Sequence, residues 1–240
     1  MQVTERASEN DVLRASRRRL LMDTVGIAVS GGGFGLVYGI AAHEAGLSVL
    51  EVAAMSTLVL SGGAQFAALG YIAAGAPWAA IVLLTAFINS RHLLYGAALG
   101  PYLSDRSAAL RAAMAHGLTD ESFAISLSHF RRIGRADVAG YGMAALFGEV
   151  PWITFSIVGA TLAANILDPA RFGLDVIFPA AMAGLAVGLI TGKRELAAAI
   201  SGAIVGVVVG LGWDPAAGIV AGGLVGPFVG LLIPASEPSV

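Results

Sequence analysis

The stretch Ile88-Asn89-Ser90-Arg91-His92-Leu93-Leu94-Tyr95 sets an arginine and a histidine inside a run that is otherwise apolar over residues 78–99. Carrying a guanidinium into lipid costs from ~3 to more than ~10 kcal/mol, so Arg91 is expected to face a polar interior or a passing solute rather than acyl chains. The preceding apolar run, 50–74, holds a lone glutamine, Gln65. Polar groups at depth on successive spans read as the lining of a transport path.

The rest of the chain agrees that these runs lie in a membrane. It is 57% hydrophobic and 12% charged, with 32 glycines, whereas soluble domains carry about a quarter charged residues. The expected fold is all-α, a polytopic integral membrane helical bundle of about 7 to 8 spans of ~20 residues, some broken by Gly or Pro. Apolar runs place spans at 20–42, 50–74, 78–99, 138–164, 173–191, 194–212 and 215–233. Residues 1–19 form a cytoplasmic segment, 20–233 one transmembrane transport domain and 234–240 a short tail. No cleavable leader is expected, because about 19 polar residues precede a first run long enough to span. A net charge of -2 offers no field for nucleic acid, and with no cysteine there is no thiolate chemistry. The histidines lack metal-ligand spacing, so neither a metal nor a cofactor is expected.

A more polar stretch, 104–130, is ambiguous by hydropathy, and the excess of Lys and Arg on the cytoplasmic side arbitrates. If it crosses, Arg6, Arg14, Arg17, Arg18, Arg19, Arg131, Arg132, Arg135, Lys193 and Arg194 lie inside, and Arg106, Arg111 and Arg171 outside: ten against three. If it does not, the split is six against seven. Eight passages with a cytoplasmic N-terminus is the better account. Gly117 interrupts the stretch, and Thr119-Asp120-Glu121 reads as the capped start of a second helix. From Asp120 to Phe130 such a helix spans only ~16 Å, which makes this a broken passage. Asp120 and Glu121 are then coupling or gating candidates, placed to attract a cation, a proton or Arg91; the alternative is a pair of surface helices with a routine acidic first turn.

Glycine recurs every four residues at Gly184-Gly188-Gly192, Gly202-Gly206-Gly210 and Gly218-Gly222-Gly226-Gly230. Such ladders let backbones approach, so the last three spans are expected to pack tightly. Ser30-Gly31-Gly32-Gly33-Phe34-Gly35 is dense enough to unwind a turn, and Gly148-Glu149-Val150-Pro151 is a comparable interruption of the fifth passage. Interrupted helices at matching positions point to a transporter's central site. That makes Gly32, Gly33 and Phe34 substrate-binding candidates, with Glu149 and Pro151 assigned to coupling or gating. Glu149 reads equally as an ordinary interhelical carboxylate.

Two stretches carry a family likeness: Ser61-Gly62-Gly63-Ala64-Gln65-Phe66, and Asn89-Ser90-Arg91-His92-Leu93-Leu94-Tyr95 followed by Pro101-Tyr102. Together with His116-Gly117-Leu118-Thr119-Asp120-Glu121-Ser122 they resemble the AzlC family of branched-chain amino acid exporters. The resemblance implies a multi-pass protein of the inner (cytoplasmic) membrane that exports branched-chain amino acids with a small membrane subunit of the AzlD type. A zwitterion needs a donor for its carboxylate, an acceptor for its ammonium and a dry pocket. Arg91 or an unwound backbone N–H suits the first; Gln65, Asn89, Asp120 or Glu121 the second; Phe34 and Phe66 the third. Ser61, Gly62, His92 and Tyr95 complete the substrate-binding set, since Arg91 and Tyr95 share a helix face and His92 and Tyr95 stand three apart.

The chain has no Walker stretch, so secondary transport is expected, by alternating access around the first, second, third and fifth passages. An enzyme is not expected: a hydrolase built on Ser61 with His92 or His116 lacks a nucleophile elbow. The stronger rival is an assembly subunit whose partner carries the solute.

Overall fold

The computed structural model describes residues 2–165 and 190–234, with 180, 183, 184 and 187 between them, and side chains from residue 11 onward. All regular structure among the described residues is helical. The order is α1 (Gln2–Glu44), α2 (Val49–Leu58), α3 (Gly62–Ala73), α4 (Trp78–Asn89), α5 (Arg91–Leu103), α6 (Ala108–His116), α7 (Asp120–Ile133), α8 (Val138–Ala164), α9 (Lys193–Gly212) and α10 (Pro215–Leu232). Most of the span expected at 173–191 lies outside the described residues, as do Arg171 and Gly188. Segments Asp11–Glu44, Trp78–Leu103, Val138–Ala164 and Lys193–Gly212 are each long and apolar enough to cross a membrane. The run at 50–74 is divided between α2 and α3, and the contested stretch between α6 and α7.

Helix ends follow local chemistry. Ser48 and Glu51 form a capping box at the start of α2, and Thr119 with Ser122 does the same for α7, each satisfying N–H groups that a helix start leaves bare. Gly134 closes α7 at φ 70°, a left-handed cap that glycine adopts without a Cβ penalty.

The centre of the bundle is the long contact between α1 and α8, and here two expectations are corrected. Neither helix unwinds: α1 runs unbroken through Gly31, Gly32 and Gly33, and α8 runs through Gly148 and Pro151. Gly35 and Gly39 serve close approach instead. A Cβ on Gly35 would stand 2.7 Å from the Trp152 carbonyl oxygen, and one on Gly39 would collide with the carbonyl oxygen of Ser156. From the other side a Cβ on Gly159 would strike the carbonyl of Leu36. The helices thus meet backbone to backbone, the small-residue geometry that membrane helices use where no hydrophobic effect drives them together. Tyr38, Phe66, Leu69 and Val52 pack around this contact as one apolar core.

A polar stitch ties the same helices at one end. Arg17 donates from Nε and Nη2 to the Asp137 carboxylate, at 2.7 Å each. The Asp137 Oδ2 lies 2.9 Å from His129 Nε2, whose Nδ1 lies 2.8 Å from Ser16 Oγ, and Arg132 Nε donates to that hydroxyl at 3.1 Å. Residues 16–17 and 129–137 therefore share one end of the bundle, which requires an even number of crossings between them. The stretch 104–130 does not supply one of them. Tyr102, at the end of α5, meets Phe130, at the end of α7, with ring centroids 5.6 Å apart, and Leu103 shares a core with Phe130, so α6 and α7 run in and back rather than across. Helices α2 and α3 likewise fold back on each other, with Gln65 bonded to Met55, which leaves α1 and α4–α5 as the two crossings.

Arg17, by its hydrogen bonds, holds the Asp137 carboxyl below its ordinary value of 3.8, against an opposing desolvation. A depressed carboxylate contributes stability that is present above its ordinary value and lost as pH falls toward the depressed one. We expect Arg17→Ala to lower stability by about 2–3 kcal/mol, less than for a fully buried pair because the arginine is partly exposed. Melting of the detergent-solubilised protein should show a wild-type advantage that is constant from about pH 5 to 8 and shrinks below the ordinary carboxylate range.

Helices α9 and α10 form a hairpin closed by two of the expected ladders. A Cβ on Gly202 would lie 2.9 Å from the Gly222 oxygen, and one on Gly226 2.6 Å from the Ala198 oxygen. Among the described residues this hairpin packs chiefly on itself.

Candidate functional site

Three irregularities in the helical backbone gather around Arg91. The first lies between α2 and α3, where Leu60 has φ 44°, a left-handed conformation that costs a non-glycine residue roughly 1–2 kcal/mol. It turns the chain so that the carbonyl end of α2 and the N–H end of α3 point into one region. Ser61 is the N-cap of α3, but its side chain makes no capping bond; its hydroxyl instead accepts from Arg91 Nη2 at 3.4 Å. Helix starts leave N–H groups without intrahelical partners and carry partial positive charge, so the first turn of α3 and the guanidinium present positive potential together. A Cβ at Gly62 would stand 2.9 Å from the Trp152 ring, so any larger residue there must displace the indole. At Gly63 a Cβ would lie 3.6 Å from Arg91 Nη2, so the missing side chain leaves the guanidinium open on that side.

A second irregularity is a tightened turn at Ser90, between α4 and α5. The Ser90 N–H donates to the Phe87 carbonyl, three residues back, at 3.2 Å, and Leu93 N–H to Ser90 at 3.0 Å. Mid-helix tightening of this kind often marks a hinge. It places Asn89 and His92 toward the break in α2–α3, with His92 Nδ1 2.9 Å from the Asn89 carbonyl oxygen. The third irregularity is the Gly117–Thr119 gap between α6 and α7. Val59, Leu60, Asn89, His92, His116 and Leu118 line one cavity of about 230 Å³, below the ~300–1,000 Å³ of drug-sized sites and suited to a small metabolite. The Asn89 Oδ1 is buried with no hydrogen-bond partner. A larger groove of about 410 Å³ between α9 and α10 is lined by glycine, alanine, isoleucine and proline alone, so it offers no side chain to a charged solute.

Arg91 has its charge partner across the third gap. Its Nη2 lies 2.9 Å from Asp120 Oδ2, and the Tyr95 hydroxyl donates to Asp120 Oδ1 at 2.6 Å. The pair is partly open to its surroundings, with side chains 35% and 44% exposed, while Arg91 Nε is buried without an acceptor. Tyr95 is held by rings on both sides: Phe123 stacks at 4.2 Å and His92 meets it edge-on at 5.4 Å.

The other sequence-chosen residues divide. Arg91, Asp120, Tyr95, His92 and Ser61 lie together, Gly62 follows Ser61 against Trp152, and Asn89 reaches the cavity. Gln65 is wholly buried and engaged within the protein: Nε2 donates to the Met55 carbonyl at 2.8 Å, and Oε1 accepts from Trp152 Nε1 at 2.9 Å. Phe66 belongs to the Tyr38–Trp152 aromatic cluster. Gly32 rests against the Phe155 ring, Gly33 has open space beside it, and Phe34 is exposed. Glu121 is exposed on α7. Glu149 Oε1 is buried without a partner, and a Cβ on Gly117 would stand 2.9 Å from it, so that carboxyl abuts the α6–α7 gap. Pro151 lies within α8, next to Trp152. Sequence reasoning missed Trp152, which both caps Gln65 and roofs Gly62; its one signal is an indole in the glycine- and proline-rich part of a span. No group of potential metal ligands occurs among the described residues.

A family model described as AzlC protein matches residues 26–166, more than half of the chain. The chain is 29% identical over 193 residues to the "Inner membrane protein YgaZ" of Escherichia coli (strain K12), across 77% of this chain and 78% of that protein. No solved structure matches. The matched region contains the α2–α3 break, the Ser90 turn, the Arg91–Asp120 pair and Glu149.

Proposed function

Since the chain belongs to the AzlC family, we propose that it is a secondary transporter that exports branched-chain, small apolar amino acids across the cytoplasmic membrane, with its N-terminus inside. The observation that carries this reading is a partly exposed guanidinium beside an uncapped helix start, within a membrane-spanning helix pair whose Asn89 and His92 line a small cavity. Arg91 Nη2 and Nε form one edge of the guanidinium, and a carboxylate takes two parallel hydrogen bonds from such an edge. The N–H groups at the start of α3 add to the same potential. Leu60, Val59 and Leu118 supply apolar wall for a branched side chain. The tightened turn and the gaps between paired helices are the points about which short helices would rock to alternate access.

A small membrane subunit of the AzlD type is part of the proposal. The outer faces of α4, with Trp78, Val82, Leu83 and Phe87 exposed, and of the α9–α10 hairpin leave apolar surface for lipid and such a partner. In the second reading this chain is an assembly subunit and the partner carries the solute. Proteoliposomes loaded with radiolabelled leucine, valine, isoleucine, methionine or lysine, containing this chain with and without the small partner, separate these readings. We expect efflux of the branched and small apolar solutes, not of lysine, and loss of that efflux when Arg91 is changed. Efflux by the pair that ignores every change at Arg91 would favour the assembly reading.

A further inference from the structure

The Arg91–Asp120 pair has features that a purely structural ion pair does not need. Only one nitrogen of the guanidinium edge is on Asp120, while the neighbouring Nε is buried and idle. Asp120 is held independently by Tyr95 at 2.6 Å, so it stays in place if Arg91 lets go. It also sits at the first position of α7, immediately after the Gly117–Thr119 gap. Building on the transport reading above, we propose that Asp120 is a built-in substitute for the substrate's carboxylate: an α-amino acid displaces it from Arg91, takes both Nε and Nη2, and lays its own ammonium on the freed Asp120.

Charge accounting makes this exchange selective. The empty pair is neutral, and a zwitterion entering between its halves leaves the site neutral, with each charge facing an opposite one. A carboxylate lacking an ammonium would occupy Arg91 but leave Asp120 bare beside a second anion. An amine lacking a carboxylate would meet an Asp120 already engaged by Arg91. Unpaired charge in a low-dielectric site is strongly disfavoured, so the pair reads the two charges of the substrate together and admits neither alone. Because Tyr95 keeps hold of Asp120 and stacks on Phe123, the exchange leaves α7 seated on α5.

The test uses the full-length protein in nanodiscs and competition against radiolabelled leucine. The competitors are 4-methyl-2-oxopentanoate, which keeps the carboxylate and side chain without the ammonium, and 3-methylbutylamine, which keeps the ammonium without the carboxylate. In the wild type both should compete at least ~100-fold less well than leucine, since a site built to pair a group rejects an analogue that lacks it. Equal competition by the keto acid would overturn the exchange. In Asp120→Asn the charge count reverses: the keto acid leaves the site neutral and leucine leaves its ammonium unpaired. Measured directly with labelled leucine and labelled keto acid, the preference should invert. Asp120→Glu should keep the wild-type preference. An Asp120→Asn protein that still favours leucine by the wild-type margin removes the exchange but leaves transport standing, whereas a wild type that binds no branched amino acid removes both.

Discussion

Replacing Arg91 by Ala will abolish leucine and valine efflux from loaded cells while the protein still inserts and elutes as a single species. The expected loss is large because the guanidinium edge offers two charge-assisted hydrogen bonds, each worth about 1.5–3 kcal/mol, or on the order of 10²- to 10⁴-fold in affinity together. Arg91→Lys should recover little: a lysine ammonium is a point charge and cannot offer the planar fork. It would still pair with Asp120, so insertion and stability should be closer to wild type than in the alanine variant. That difference separates a substrate role from a structural one. If the lysine variant transports normally, the guanidinium is only a counter-ion for Asp120.

The second large effect lies away from the site. Gly39→Val will prevent α1 from seating on α8, because the added Cβ would collide with the backbone carbonyl oxygen of Ser156, which has no rotamer to yield. Overpacking that flexible side chains can absorb costs typically 1–3 kcal/mol; with backbone on both sides the cost should exceed ~3 kcal/mol and leave little folded protein. The control is Gly33→Ala, where nothing lies within 4 Å and where helix propensity favours alanine by up to about 1 kcal/mol. Fluorescence-detected gel filtration of tagged variants should show the Gly39 peak lost and the Gly33 peak kept. A monodisperse, thermostable Gly39→Val would mean that the α1–α8 contact does not hold the bundle.

These two positions also mark how far the sequence is legible. Arg91 is readable because burying a guanidinium is expensive, and the expense identifies the residue without any structure. Its pairing with Asp120 is foreseeable as one choice among several acidic groups at depth. Residues 31–35 are different. Clustered glycines lower helix stability and also permit close contact, and the choice between unwinding and packing belongs to a partner helix more than a hundred residues away. Trp152 and Ser156 decide it, where Gly35 meets them, through a long-range contact that periodicity does not encode. Gln65 fails in the same way: a lone amide in an apolar run looks available until Met55 and Trp152 are seen to occupy both ends of it. The break at Leu60 has no local signal, since leucine disfavours a positive φ and only the surrounding packing can impose it. The α9–α10 ladders, by contrast, were legible in full, because both partners lie within one short hairpin and each carries the same four-residue step.

The stitch between Arg17 and Asp137 spans 120 residues of sequence, which has a bearing on how the protein is made. At ~5–20 residues per second of synthesis, the first helix, which ends at Glu44, is in place roughly 5–19 s before the acid that will hold its end has left the ribosome. Throughout that interval its glycine groove stands open in the bilayer with α8 not yet made. Whatever else occupies the nascent membrane then, an insertase or another copy of the chain, competes for that groove, and biogenesis rather than final stability becomes the step most exposed to mutation in α1.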